Sequence, residues 1–145
     1  MKLPNIAIAC DHAGLDLKKQ ILNWLNEQSA VVRDFGTNSI ESVDYPDFAR
    51  LVSNAVKEGE CEIGILICGT GIGMSIAANR FPGIRAALCW NRESAHLAKS
   101  HNNANVICLP GRLIEPELAV EVLADFFSAA FEGGRHQRRI DKLGC

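Results

Sequence analysis

The segment IGILICGTGIGMSIAAN, residues 63–79, decides the fold. Its first six residues carry no charged side chain and lack the polar alternation of a half-exposed strand, which predicts a strand at 63–68 that is buried on both faces. Glycines at 69, 71 and 73 then predict a tight turn, and a helix follows near 72–79. A buried strand that passes through a glycine turn into a helix is typical of a parallel sheet covered by helices.

The same strand-then-helix pattern extends to both sides of this segment. Apolar runs predict four further strands at 5–10, 30–35, 84–89 and 105–110, and helical periodicity predicts helices near 17–28, 48–59, 93–100 and 116–131. We expect Asp11 to cap the first of these helices. Five such units predict an α/β fold with three layers, α/β/α, around a doubly wound, Rossmann-like five-stranded parallel sheet. We expect a single domain over 1–145. Its helical tail, from about 132, reaches either its own site or that of a partner subunit.

Composition excludes several classes of protein. The 145 residues are 48% apolar and 22% charged with a net charge of −2, which is typical of a globular protein and indicates no general affinity for nucleic acid or membranes. We find neither a membrane span nor a secretory signal, so we expect a cytoplasmic protein. The six cysteines, at 10, 61, 68, 89, 108 and 145, form no CxxC pair, which favours reduced and mostly buried thiols.

Ligands of open α/β sheets bind outside the carboxyl ends of the strands, where the strand order reverses. This rule predicts that several polar groups share one edge of the sheet. They are Asp11, His12, Asp34, Cys68, Trp90, Asn91 and Arg112. We place His101, just before the fifth strand, on or near the same edge.

The glycine turn and Cys68 are the first candidate site. Amides of a glycine turn that opens a helix can converge on an anion, although the glycines could also serve the turn alone. The G-x-G-x-G spacing after the third strand does not match the dinucleotide fingerprint, and the phosphate-loop lysine is missing. Cys68 adjoins the turn, where donors can stabilise a thiolate that acts as a base. We interpret Cys10, Cys89 and Cys108 as small buried hydrophobic residues.

Two histidines and two arginines are the other candidates. His12 and His101 come from different units, and each taken alone is more often structural than functional; His96 is interpreted as a surface residue. Asn102 and Asn103 either supply donors or form a turn. Arg135 and Arg139 share a face if their segment is helical, which suits a phosphate group; the alternative is a solvated charged end.

These stretches together closely resemble the ribose-5-phosphate isomerase B family, which also contains galactose-6-phosphate isomerase subunits and allose-6-phosphate isomerases. The matching stretches run in order along nearly the whole chain. They are IACDHAG, DFGT, DYPDFA, ILICGTGIGMSIAANRFPGIRA, HNNANV and FEGGRHQRRI.

The resemblance implies an aldose–ketose isomerase of a sugar phosphate that uses no metal and no cofactor, built as a homodimer or homotetramer with shared active sites. By this likeness Cys68 moves a proton between C1 and C2, Thr70 assists proton movement between the two oxygens, and His101 with Asp11 opens the sugar ring. The likeness assigns the remaining residues to binding: Gly69, Gly71, Ile72 and Gly73 to an anion hole, His12, Arg135 and Arg139 to the phosphate, and Tyr45, Asn102 and Arg112 to the pocket.

The resemblance favours interconversion of ribose 5-phosphate and ribulose 5-phosphate. Another branch of the family uses a glutamate a few residues after the cysteine position, which here matches Met74, so Cys68 is the expected base. The alternatives are an isomerase of allose or galactose 6-phosphate or of a tetrose phosphate, with residues 90–94 expected to discriminate among sugars. A noncatalytic phosphosugar-binding subunit and a nucleotide-dependent oxidoreductase are the alternatives from other classes.

Overall fold

The computed structural model describes residues 2–144, and its elements follow the predicted order. Relative to the predictions, α2 begins earlier, at Tyr45, because Pro46 suits the first turn of a helix. The strands are β1 Ile6–Cys10, β2 Val32–Asp34, β3 Ile63–Cys68, β4 Ala86–Leu88 and β5 Val106–Pro110. The helices are α1 Leu15–Glu27, α2 Tyr45–Lys57, α3 Ile72–Ala78, α4 Arg92–Ser100, α5 Pro116–Ser128 and α6 Arg135–Asp141, and a short 3₁₀ turn, His12–Gly14, precedes α1.

All strand pairs are parallel, and the sheet has the order β2-β1-β3-β5-β4. From β1 the chain moves outward to β2 and then returns past β1 to β3. The order therefore reverses between β1 and β3, and a crevice is expected outside the carboxyl ends of these two strands. This confirms the predicted doubly wound parallel sheet.

Side chains of the central strands alternate between two apolar layers. Ile63, Ile65 and Ile67 pack with residues of α1, α4 and α5, whereas Leu66 and Cys68 pack with residues of α2 and α3. Since both faces are covered, β3 is buried along its whole length, as its uninterrupted apolar sequence predicts. Within residues 2–144, no helix combines the length and the apolar character that a membrane crossing requires.

Candidate active site

The ends of β1, β3 and β5 are joined by hydrogen bonds around Cys68. The Asp11 N–H donates to the Ile67 carbonyl (3.1 Å), and the Gly111 N–H donates to the Cys68 carbonyl (2.8 Å). The Arg112 N–H donates to the Gly69 carbonyl (3.0 Å). These bonds bring Asp11, Cys68 and Arg112 to the carboxyl edge of the sheet, as predicted.

Asp11 and His12 are both held by local hydrogen bonds. The Asp11 carboxylate caps the 3₁₀ turn by accepting from the amides of Ala13 (2.9 Å) and Gly14 (3.2 Å). The expectation that Asp11 caps α1 itself is wrong, because the 3₁₀ turn intervenes and α1 starts after Gly14 without a side-chain cap. His12 Nδ1 accepts from the Val43 amide (3.2 Å). Because this bond uses the lone pair of Nδ1, the Nε2 of a neutral His12 carries the proton and can donate to an anion.

The glycine turn directly follows Cys68 and requires glycine for steric reasons. Gly71 has a φ of 73°, and a Cβ there would lie 2.5 Å from Leu88 Cδ1 and 3.0 Å from the carbonyl carbon of Leu109. A Cβ on Gly73 would lie 2.7 Å from the Tyr45 ring. The turn is therefore packed tightly between β5, β4 and the start of α2.

Thr70 and Ile72 interact within this turn. The Ile72 amide, one of the expected anion-hole donors, donates to Thr70 Oγ1 at 3.2 Å. It is thus engaged locally, while the Thr70 hydroxyl proton remains available for another acceptor. The contributions of Ile72 and of the glycine amides to an anion hole both stay predictions.

Lys18 is an organising residue of this edge that the sequence analysis missed. Only 1% of it is exposed, and its ammonium donates to the Asp34 carboxylate (2.8 and 3.1 Å), the Thr37 carbonyl (2.6 Å) and Asn38 Oδ1 (3.1 Å). Lys18 therefore fixes the loop after β2 that leads toward His12 and Tyr45. No spacing rule could have identified it, because its partners lie 16 to 20 residues away.

The expectation that His101 lies on the carboxyl edge is wrong. His101 caps the carboxyl end of α4, and the chain enters β5 only at Val106. In a parallel sheet a residue just before a strand lies at the amino edge. The β3–β5 register pairs Cys68 with Pro110 and Gly64 with Val106, so four residue steps, about 13 Å at ~3.3 Å per step, separate the two edges.

A second group of polar residues surrounds His101 at the amino edge. His101, Asn102, His136 and Arg139 line one cavity of about 230 Å³. The rings of His101 and His136 are stacked with centroids 4.2 Å apart. Arg135 lies one turn before Arg139 on α6, which confirms that the tail segment is helical. Within residues 2–144, the predicted site residues therefore lie in two groups, one at the carboxyl edge of the sheet and one at the amino edge.

Glu132 and His136 belong to this second group and were missed by sequence analysis. Glu132 Oε2 lies 3.8 Å from His101 Nε2, and Glu132 Oε1 lies 3.5 Å from His136 Nε2. Burial and the neighbouring Arg135 lower the pKa of His136, which favours a neutral ring. The signal lies in the EGGRH segment, whose glutamate and histidine are ligand-type side chains that stand beside its arginine.

The other four cysteines of the described range pack in the two apolar layers. All five cysteines of the described range are buried and unpaired, as predicted, and Cys145 lies outside that range. Burial raises the pKa of both Cys10 and Cys89 to about 11, and it also raises the pKa of Cys108. These thiols therefore remain protonated near neutral pH, which agrees with their interpretation as small hydrophobic residues.

The fold and the site together define a doubly wound α/β protein with a thiol and a glycine turn at the topological switch point. Residues 6–143 match the Ribose/Galactose Isomerase family. The chain belongs to this family.

Two solved structures and one named relative support the assignment to this family. A ribose 5-phosphate isomerase from Thermotoga maritima is 55% identical, with a TM-score of 0.96 over 97% of both chains. The ribose-5-phosphate isomerase B of Mycoplasma genitalium, solved with ribulose-5-phosphate bound, is 49% identical, with a TM-score of 0.92 over 96% of this chain and 93% of that one. The D-erythrulose-4-phosphate isomerase of Pectobacterium atrosepticum is 44% identical over 97% of this chain and 93% of its own.

Proposed function

We propose that this protein is a sugar-phosphate isomerase that interconverts ribose 5-phosphate and ribulose 5-phosphate. The observation that carries the proposal is the position of Cys68, which ends β3 at the switch point and directly precedes the glycine turn. The bound ribulose-5-phosphate in the Mycoplasma genitalium enzyme supports the five-carbon substrate.

In this mechanism Cys68 acts as the base. Its thiolate removes the proton from C2 of the open-chain aldose, and the electrons of that C–H bond form the enediolate while the carbonyl oxygen gains negative charge. The thiol then returns the proton to C1, which gives the ketose. Amides of Gly69, Gly71 and Gly73 stabilise the enediolate oxygen, an effect worth about 3–4 kcal/mol per donor in comparable sites.

Thr70 moves the second proton of the reaction. Isomerisation requires that the proton on the C2 hydroxyl reach the oxygen on C1. The Thr70 hydroxyl oxygen accepts from the Ile72 amide, which holds the side chain in place while its own proton remains free to be donated. A hydroxyl oriented in this way can exchange protons with both substrate oxygens.

The active site is shared between two copies of the chain. Cys68 lies at the carboxyl edge and His101 at the amino edge, so one copy cannot place both side chains on one open-chain pentose phosphate. A homodimer solves this problem if the amino-edge group of one copy covers Cys68 of the other. Ile72 and Ile76, 46% and 62% exposed on α3 beside the turn, offer an apolar surface for such contact.

Each copy then supplies part of the substrate contacts. The copy that provides Cys68 also binds the substrate through His12 Nε2 and Arg112. Tyr45 of the same copy packs against the glycine turn. A second copy provides Arg135 and Arg139 for the phosphate, Asn102 for a hydroxyl and His101 for ring opening. In this arrangement the chain acts as one domain whose tail from about 132 completes the neighbouring site.

The decisive experiment is an isomerisation assay of the purified protein on four-, five- and six-carbon aldose phosphates, with EDTA present. The highest kcat/KM is expected for ribose 5-phosphate. The named Pectobacterium atrosepticum relative makes a tetrose phosphate the second candidate. Preference for a tetrose phosphate would overturn the pentose assignment, and turnover of none of these substrates would overturn the proposed function.

A further inference from the structure

Three side chains with metal-binding groups meet at the amino edge of the sheet. His101, Glu132 and His136 each offer one ligand atom, and these atoms all lie within 4.8 Å of one another. The Glu132 N–H donates to the Ser100 carbonyl (2.9 Å), which fixes the segment before α6 against the end of α4. This bond holds the backbone of Glu132 next to the residue that precedes His101.

His136 provides an independent indication that this cluster has a ligand. Only 6% of His136 is exposed, and its Nε2 has no hydrogen-bond partner among the described residues. Buried polar atoms in folded proteins nearly always have a partner. The unpartnered nitrogen lies 3.5 Å from Glu132 Oε1, so it faces the other ligand-type groups of the cluster.

The donor set selects the kind of ion. Two imidazoles and one carboxylate are common zinc ligands, whereas Mg²⁺ and Ca²⁺ prefer sites made of oxygen. Tetrahedral Zn²⁺ with bonds of about 2.0–2.1 Å places its ligand atoms about 3.3 Å apart. The two Glu132–histidine separations, 3.5 and 3.8 Å, are close to this value, although they involve different carboxylate oxygens. With one ligand atom from each residue the separations are all within 4.8 Å, so the cluster must contract to bind an ion.

One rearrangement is required for binding. The two rings are nearly parallel, at 14°, and parallel rings cannot both point a lone pair at one ion. His101 is the ring that turns, because 36% of its side chain is exposed and it lies at the end of α4, whereas His136 is enclosed. Glu132, with 52% of its side chain exposed, can follow the ion.

We propose that His101, Glu132 and His136 form a binding site for a Zn²⁺ ion, and that zinc bound there inhibits the enzyme by occupying the Nε2 of His101. The inhibition rests on the proposed function, since it requires His101 to open the sugar ring. The metal site itself does not depend on the reaction.

Calorimetric titration of the full-length, reduced Cys68→Ala protein with zinc chloride tests the site without a contribution from this thiol. We expect one ion per chain and no binding of magnesium chloride. Glu132→Gln and His136→Asn should each weaken zinc binding by at least about tenfold, since loss even of groups that orient a ligand commonly costs that much. His96→Asn, on the exposed face of α4, is the matched control and should bind as the parent does.

The outcomes separate the metal site from the reaction. Glu132 is exposed, so Glu132→Gln tests the site even if His136→Asn does not fold. Absence of zinc binding by the Cys68→Ala protein, or unchanged affinity in Glu132→Gln, overturns the site whatever the activity. In protein with intact Cys68, zinc should slow isomerisation, and EDTA should restore the rate. The Glu132→Gln variant should require a higher zinc concentration for the same inhibition. Zinc binding without any slowing of an active enzyme overturns the inhibition alone.

Discussion

Cys68 and His101 lie on opposite edges of one parallel sheet. Cys68 is the last residue of β3, whereas His101 follows α4 and precedes the amino end of β5. Neither residue can change edge without breaking the pairing of β3 with β5. The relationship implies that any site using both side chains contains two copies of the chain.

Mixing two variants that we expect to be inactive tests the proposed shared site. In the proposed homodimer, Cys68→Ala and His101→Asn each remove one half of every site. A heterodimer of the two variants has one site with both halves intact and one site with neither, because a two-fold interface pairs each half with the other copy. Random reassortment makes half of the dimers hetero, so activity should recover to about a quarter of the unmodified level.

In the mixing experiment the two variants are partially unfolded and then refolded together, so that their subunits can exchange. Each variant refolded separately is the control. Continued inactivity after verified exchange of subunits would argue that each chain builds its own site.

Cys68→Ser tests the catalytic thiol. The hydroxyl is nearly the same size but is not an effective base at neutral pH, so kcat should fall by at least about 10²- to 10⁴-fold, the usual contribution of a positioned proton-transfer group. Substrate binding, measured by calorimetry, should be retained. Cys61→Ser changes a similarly buried cysteine just before the other end of β3 and should leave kcat unchanged. Full activity of Cys68→Ser would reject its role as the base.

Arg135→Ala combined with Arg139→Ala tests the phosphate contacts. Hydrogen bonds to charged groups contribute about 1.5–3 kcal/mol, so each lost guanidinium should raise KM by about tenfold or more. The effect on kcat should be smaller, because the phosphate is remote from the reacting carbons. Arg138→Ala, on the same helix and also exposed, is the matched control. An unchanged KM in the double variant would exclude a phosphate clamp on α6.

Gly71→Ala tests the packing of the glycine turn. Gly71 and Gly83 both have a positive φ, 73° and 82°, so alanine at either position costs about 1–2 kcal/mol of backbone strain. Only at Gly71 would the new Cβ overlap other atoms, which should add about 1–3 kcal/mol. Denaturant unfolding should show the larger loss for Gly71→Ala, together with loss of activity. Equal losses for both variants would show that the turn can expand.

The Lys18–Asp34 ion pair predicts that removing its two members lowers the free energy of unfolding by different amounts. Asp34→Ala leaves a fully buried ammonium without its counterion and should lower the free energy of unfolding by about 3–5 kcal/mol. Lys18→Met should cost less, because 29% of the Asp34 side chain is exposed and water can solvate the remaining carboxylate. Denaturant unfolding of both variants measures the difference. A larger loss for Lys18→Met would contradict this account of the pair.

The sequence determined the fold and the carboxyl-edge half of the candidate site. Apolar runs without alternation specify buried parallel strands, and the polar residues that directly follow β1, β3 and β5 must then lie at one edge, since parallel strands all end there. Asp11, His12, Cys68 and the glycine turn were located in this way, because their positions depend only on local pattern.

Only the tertiary structure decided where the second group lies. The position of His101 depends on the direction in which α4 returns along the sheet, and the cluster of His101, Glu132 and His136 depends on how α6 packs against the end of α4. The four contacts of the Lys18 ammonium likewise join segments distant in sequence. Periodicity describes which face of an element is buried, but contacts between distant segments arise from packing, which no local pattern encodes.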